Sequence, residues 1–407
     1  MSSRDPVPRA VKVLMMCLAS GGLAGCASVL ERAVPPASAA ITATVSGLAH
    51  VRFWGDEAPK NVAAAMRQRM PSLGGPPRAQ SFENGRPVVN YLALSGGGSD
   101  GAFGAGLLAG WTKTGNRPKF EFVTGISAGA LIAPFAFLGP AYDRQLEEIW
   151  TQYGDDDLVT KQPLGILFGA PAAVDTKPLA ELIARYVDAK FLGAIAAEYR
   201  KGRVLMIGTT NIDARRPVVW NMGEIALSRD PRALQLFRDV LLASASIPGI
   251  MPPIKIAVDA DGQTFEELHV DGGVTRQVFL TPVALRLTDF DQFYPAPPLR
   301  RVYVIRNGSL SPRYKPVDTS AAALAATSIG ALLDNQAAGD IYRIFIASTR
   351  DGAEFRLAAN RSLHEQETNS LFDKAHMTEL FNTARAQAAG GYAWLRTVPE
   401  HTVQNGR

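Results

Sequence analysis

Apolar and polar positions along this chain follow two alternating periods. Val88-Val89-Asn90-Tyr91-Leu92-Ala93-Leu94-Ser95 is a near-continuous apolar run of strand length, and Gly96-Gly97-Gly98 ends it. Phe103 to Trp111 reads as a helix of small and apolar residues, and Phe120 to Thr124 as a second strand. A turn at Gly125 leads into a helix from Ser127 to Leu138, followed by helical segments over Tyr142–Tyr153 and Lys177–Tyr186. Arg203 to Thr210 is strand-like, with Pro217 to Asn221 as its partner, and Pro231 to Ser246 is helical. Lys255–Val258 and Phe265–Val270 flank Asp261-Gly262, a hairpin turn signal. Arg301–Arg306 is a buried strand, and Ser320–Ile346 and Leu371–Ala389 are helices. Strands alternating with helices predict a three-layer α/β fold with a mainly parallel central sheet.

Two local features stand against this pattern. Pro134 lies inside the Ser127–Leu138 helix and predicts a kink or an early end. The Ser320–Leu333 stretch is apolar and Ala-rich, and reads as core in preference to membrane-binding surface.

The N-terminus follows another plan. Arg4, Arg9 and Lys12 precede an uncharged stretch from Val13 to Gly25, too short to span a bilayer and arranged as a secretory signal peptide. Its end, Leu23-Ala24-Gly25-Cys26, resembles the lipobox of bacterial lipoproteins. That resemblance implies cleavage before Cys26 and a diacylglycerol thioether on its sulfur, with a lipid-anchored place in the bacterial cell envelope. Ala27 and Ser28 follow, and neither is the aspartate that retains some lipoproteins in the inner membrane, so the outer membrane is favoured for a Gram-negative source. Pro35-Pro36, Gly74-Gly75 and Pro76-Pro77 break the chain before the first long strand. The expected organisation is a signal peptide over 1–25, a tether and extension over 26–86, a catalytic domain over 87–310, and a helical C-terminal extension over 311–407.

Composition narrows the chemistry. The 407 residues are 47% apolar and 20% charged, which excludes a disordered chain and a polytopic membrane protein. Cys17 and Cys26 are the two cysteines, so a disulfide scaffold and a Cys-rich zinc site are excluded. The net charge of +4 is spread without a dense basic block, and no nucleic-acid partner is expected.

Gly125-Ile126-Ser127-Ala128-Gly129 fits G-x-S-x-G between a strand and a helix. The chain must turn sharply there to expose the serine oxygen, and the glycines leave room for the turn. Gly96-Gly97-Gly98-Ser99-Asp100-Gly101 is a glycine-rich loop, also between strand and helix. Its amides suit an oxyanion or a pyrophosphate. Glu121 lies where a dinucleotide site wants its acid, but it is mid-strand and the serine elbow begins four residues later, which favours the oxyanion. None of His50, His269, His364, His376 and His401 sits in a catalytic motif, whereas Asp271-Gly272-Gly273 places a carboxylate beside two glycines at a strand end.

In this order, the Gly96–Gly101 loop, the Gly125–Gly129 elbow and Asp271-Gly272-Gly273 resemble the patatin-like phospholipase family. Ala243-Ser244-Ala245-Ser246-Ile247-Pro248 is similar to the family's Ala-Ser-x-Ala-x-Pro segment, with Ser246 for the second alanine. The resemblance covers about residues 88–310. It implies a cofactor-independent serine acyl-ester hydrolase acting on membrane lipid or another fatty-acyl ester. By the same resemblance Ser127 is the nucleophile, Asp271 the base of a dyad, and Gly96, Gly97 and Gly98 the oxyanion hole. One departure is Asp100, where family members often carry Arg or Lys; it disfavours an anionic headgroup. Two other readings of the residues are a lipid-binding lipoprotein without activity and an α/β-hydrolase esterase with a histidine base.

Overall fold

The apolar run at residue 88 builds the middle of a large sheet. The structure is a computed structural model that describes residues 32–58, 64, 67, 70, 79–161, 172–282, 285–311, 316–360 and 370–399. Among these residues the sheet strands are β1 (Thr44–Val45), β2 (Arg52–Trp54), β3 (Ser81–Glu83), β4 (Arg86–Leu94), β5 (Phe122–Ile126) and β6 (Val204–Asn211). They continue with β7 (Arg216–Asn221), β8 (Ile254–Ala260), β9 (Gln263–Asp271), β10 (Leu299–Arg306) and β11 (Glu354–Ala359). The strand order is β1-β8-β9-β6-β5-β4-β10-β11, with β7 also on β6, β2 on β7 and β3 on β4. The central run β6-β5-β4-β10-β11 is parallel, and the flanking strands are antiparallel.

Successive side chains on a strand point to opposite faces. Leu92 and Leu94 of β4, Val123 of β5 and Ile305 of β10 therefore share one core. Val89, Tyr91 and Ala93 of β4, with Val302 and Val304 of β10, share the other. Helices α1 (Gly101–Lys113), α2 (Ala128–Leu138), α3 (Asp143–Gln152), α4 (Lys177–Tyr186), α5 (Ala189–Tyr199), α6 (Ala233–Ala245) and α8 (Lys374–Ala389) contribute to the first core. The second is closed by Ile341 and Ile344 of α7 (Ala321–Arg350) and by Val278, Leu280 and Leu287. The fold is thus α/β, with a mainly parallel central sheet between two layers. The β8–β9 turn forms as expected: Asp261 and Gly262 both take positive φ, 50° and 76°, as a two-residue hairpin turn requires.

Several expectations shift. The strand read at Phe120–Thr124 runs over Phe122–Ile126, and Glu121 before it is tied in by both backbone and side chain. Its carboxylate accepts the Asn90 N–H at 2.6 Å and the Gln80 N–H at 3.3 Å. Helix α2 continues through Pro134 to Leu138. Asp155-Asp156-Asp157 is a helical turn whose Asp155 accepts the Phe372 N–H at 2.6 Å, a tie to the C-terminal segment. Residues 311–407 supply β11, paired in parallel with β10, so this extension completes the sheet as well as adding helices. Likewise β1 and β2 of the N-terminal extension join the sheet. The expected signal peptide over 1–25, Cys26, His364 and His401 lie outside the described residues. The first half of α7 is exposed, contrary to the core reading of Ser320–Leu333: Leu324, Ile329 and Leu332 are 49%, 57% and 69% accessible.

Candidate active site

The carboxyl ends of β4, β5 and β6, with the end of β9, bring the predicted residues together. Strand β5 stops at Ile126, and Ser127 takes φ 54° and ψ −124° before α2 begins. A non-glycine residue in that region is strained. The elbow is possible because its neighbours lack side chains. A Cβ at Gly125 would overlap the carbonyl of Gly129, and one at Gly129 would overlap the carbonyl of Leu94. Ser244 of α6 braces the turn: its Oγ accepts the Ser127 N–H at 3.0 Å and donates to the Gly208 carbonyl at 2.6 Å. Ser244 carried no role in the sequence reading beyond its motif. Ser244→Ala leaves a buried donor and a buried acceptor unpaired. It is expected to cost about 2–3 kcal/mol of stability, measurable by urea denaturation. A looser elbow lowers kcat by about tenfold or more with little change in KM.

Asp271 ends β9 opposite Thr209 of β6. Its N–H donates to the Ser246 carbonyl at 2.8 Å, which ties the aspartate to the Ala243–Pro248 segment. The carboxylate accepts the Gly273 N–H at 2.7 Å, and the Ser127 side chain is near enough to pull its pKa down. Both residues are buried, Ser127 at 8% and Asp271 at 6% exposure. Burial pushes the Asp271 carboxyl up to about 6, against the opposing pull of the bonds from Ser127 and Gly273. The glycines beside it are dictated by close approach. A Cβ at Gly272 would press on the Gly208 carbonyl, and one at Gly273 on Asp271 Oδ1 and the Gln277 side chain.

The glycine loop divides in two. The Gly96 N–H donates to the Gln277 carbonyl at 3.0 Å, so this amide, expected in the oxyanion hole, is already engaged. The N–H groups of Gly97 and Gly98 donate to no acceptor among the described residues. Gly98 takes φ 55°, and a Cβ at Gly97 would overlap the carbonyl oxygen of Asn307. A Cβ at Gly101 would overlap Trp150 and crowd Ala128, so that glycine lets α1 start close to the elbow. Asn307, at the end of β10, holds the loop from behind. Its N–H donates to Ser95 Oγ at 2.8 Å, its Nδ2 to the Ser95 carbonyl at 2.7 Å, and its Oδ1 accepts the Gly104 N–H at 3.1 Å. Arg306 Nη1 donates to the Gly96 carbonyl at 3.0 Å. Asn307 lies outside every motif, and its distance in sequence from the loop hides it.

The histidines sort themselves. His269 is fully buried, with Nδ1 3.0 Å from Thr209 Oγ1 and Nε2 3.1 Å from Glu267. Burial depresses its pKa, against the opposing pull of Glu267. It is a packed residue. His376 of α8 pairs with Asp100 at 3.0 Å across the glycine loop. An apolar cavity of about 190 Å³ lies on the sheet face away from Val123, lined by Phe122, Met206, Val219 and Phe279. Ile126, Gly208 and Gly272, neighbours of the two site residues, also line it. Among the described residues no cluster of His, Cys, Asp and Glu is placed to hold a metal ion.

A serine on a strained strand–helix turn, a glycine loop on the preceding strand and an aspartate ending an antiparallel neighbour define an α/β fold of patatin type. Residues 92–284 match the Patatin family, described as patatin-like phospholipase, and that match supports a lipid acyl hydrolase at the level of the family. No curated protein matches the sequence. Among solved structures the chain is similar to VipD from Legionella pneumophila, at 12% identity over 78% of this chain and 71% of that one, with a TM-score of 0.32. It is also similar to human GIVD cytosolic phospholipase A2, at 11% identity over 78% of this chain, with a TM-score of 0.33. This chain spans 56% of that enzyme's chain.

Proposed function

We propose that the protein is a serine acyl-ester hydrolase of phospholipase A or lysophospholipase type, working through a Ser127–Asp271 dyad. The observation that carries this reading is the placing of two buried groups together, Ser127 on its strained elbow and Asp271 beside Gly273, with the Ser127 side chain near enough to act on a carboxyl that burial raises to about 6. An ordinary carboxylate near 4 is a poor proton acceptor at neutral pH, and the rise brings this one closer to its task. Asp271 takes the Ser127 proton as Oγ attacks the acyl carbonyl, and the leaving alcohol receives that proton. The Gly97 and Gly98 amides stabilise the oxyanion, each such donor being worth about 2.7–4 kcal/mol. Water then attacks the acyl-serine, giving a proton to Asp271, and Asp271 returns that proton to Ser127 Oγ as the fatty acid leaves. The apolar cavity beside Ile126 and Gly272 favours an acyl chain over a polar substrate.

A fluorophosphonate probe tests the nucleophile: labelling is expected on Ser127 and absent in Ser127→Ala. A protein that only binds lipid leaves the probe unreacted. His269→Gln is expected to cost about 1–3 kcal/mol of stability through the partners it strands, while nitrophenyl butyrate hydrolysis stays within about tenfold of the parent. His376→Ala is expected to remain active as well. A loss in either variant as complete as that in Asp271→Asn replaces the dyad with a histidine-based triad.

The envelope location is part of the proposal. Lipidation at Cys26 predicts incorporation of a clickable palmitate analogue in bacteria, and Cys26→Ala is expected to lose the label and the membrane fraction.

A further inference from the structure

We infer that the first half of α7 is a docking element that seats the active-site end of the protein in a lipid surface. Asp340 on this helix accepts the Gln277 N–H at 2.8 Å, and Asp334 pairs with Arg306 at 3.1 Å, at the strand end that holds the Gly96 carbonyl. Position 334 is thus at the rim of the site. Below it the helix packs on the sheet, with Ala337, Ile341 and Ile344 buried. Above it the described side chains from Ala321 to Gln336 include none that is buried. Thirteen residues separate Ala321 from Asp334, a rise of about 20 Å past the rim.

The composition of that half is wrong for water. No charged residue occurs between Asp318 and Asp334, and Leu324, Ile329 and Leu332 stand about half or more exposed. A Cβ at Gly330 would meet nothing within 4 Å, so among the described residues no neighbouring element covers the helix there. A rise of about 20 Å is shorter than the hydrocarbon core of about 30 Å, which suits entry into one leaflet. In keeping with this, no helix among the described residues is long and apolar enough to cross a membrane.

The N-terminus identifies the occupant. Arg32 Nη1 donates to Asp213 at 2.9 Å and to the Glu266 carbonyl at 2.7 Å. Asp213 follows the carboxyl end of β6, the end of the sheet at which Ser127 lies. Cys26 precedes Arg32 by six residues, which span at most about 20 Å when extended. An acyl group on Cys26 is therefore tethered to the end from which α7 rises. Two attachments on one end present the site to the bilayer.

This inference rests on the lipid-ester reading for its purpose, and its test does not need catalysis. The chain has two cysteines, so the full chain with Cys17→Ser and Cys26→Ser accepts a single environment-sensitive fluorophore at Leu332→Cys and carries no anchor. On phosphatidylcholine–phosphatidylglycerol vesicles the fluorophore is expected to shift to the blue and brighten about threefold or more as it leaves water. Unchanged emission on the vesicles overturns the proposal. So does a shift that follows protein concentration without vesicles, since the helix then covers a second copy. In the same background Leu324→Gln, Ile329→Gln and Leu332→Gln together are expected to slow hydrolysis of vesicle lipid at least about tenfold and leave nitrophenyl butyrate hydrolysis unchanged. Equal vesicle hydrolysis overturns docking by α7, whereas a parent inactive on both substrates overturns the hydrolase and leaves the fluorescence to decide docking.

Discussion

Asp271→Asn is expected to abolish ester hydrolysis and, at the same time, to make the protein more stable at pH 8. The first effect follows from the loss of the proton acceptor. An amide cannot take the Ser127 proton, and kcat/KM falls by about 10⁴-fold or more, to the level of Ser127→Ala. The second follows from the cost of the buried charge. The folded-state pKa of about 6 lies above the ordinary aspartate value of 3.8, a difference of about 3 kcal/mol. A carboxyl with a raised pKa contributes its stability fully below pH 3.8 and loses it as the pH rises through about 6. Above that pH the ionised Asp271 is a burden that asparagine removes, while its Oδ1 still accepts the Gly273 N–H. The variant is therefore expected to melt a few degrees higher at pH 8 and to show little gain at pH 4. Calorimetry at the two pH values checks the stability, and the wild-type rate provides an independent test. It is expected to fall about tenfold per pH unit below about 6 as the base is protonated. An acid limb far below pH 6, or an active Asp271→Asn, removes the aspartate from the chemistry.

Gly97→Ala is expected to be nearly as damaging by a different route. The added methyl would overlap the carbonyl oxygen of Asn307, a backbone atom held by the bonds of Asn307 to Ser95 and Gly104. The loop must move away, and the Gly97 and Gly98 amides move with it. Loss of one oxyanion donor costs about 10²–10³ in kcat, and both are displaced here. The nucleophile itself is untouched, so fluorophosphonate labelling at Ser127 slows without vanishing. Gly98→Ala is the control, because a Cβ there meets no atom within 4 Å. Its φ of 55° adds about 1 kcal/mol of strain, and a much smaller loss of rate is expected.

The site's glycines were readable in the sequence because backbone meets backbone at Gly125, Gly129 and Gly272, and no side chain fits. The aspartate was readable beside its own glycines. What escaped depends on partners far along the chain. The Gly96 amide looks like its two neighbours until the Gln277 carbonyl is brought against it. Strand β11 is six residues long, and its partner β10 lies some fifty residues earlier, so local pattern alone does not mark it. Helix α5 is a short Ala-rich segment without a clear break before it and was passed over. The first half of α7 shows the limit of periodicity most plainly. Apolar residues mark a surface that leaves water, and they do not say whether protein or lipid receives it.

Asn307 has a consequence for the order in which the protein acquires its chemistry. The elbow and the glycine loop are both encoded before residue 130, whereas the side chain that braces the loop is encoded almost 180 residues later. A chain made or exported from its N-terminus has the nucleophile early and lacks the support of the oxyanion loop until β10 docks beside β4. The unfinished chain then carries Ser127 with no organised site around it, and on the proposed function hydrolysis waits on the closure of the sheet.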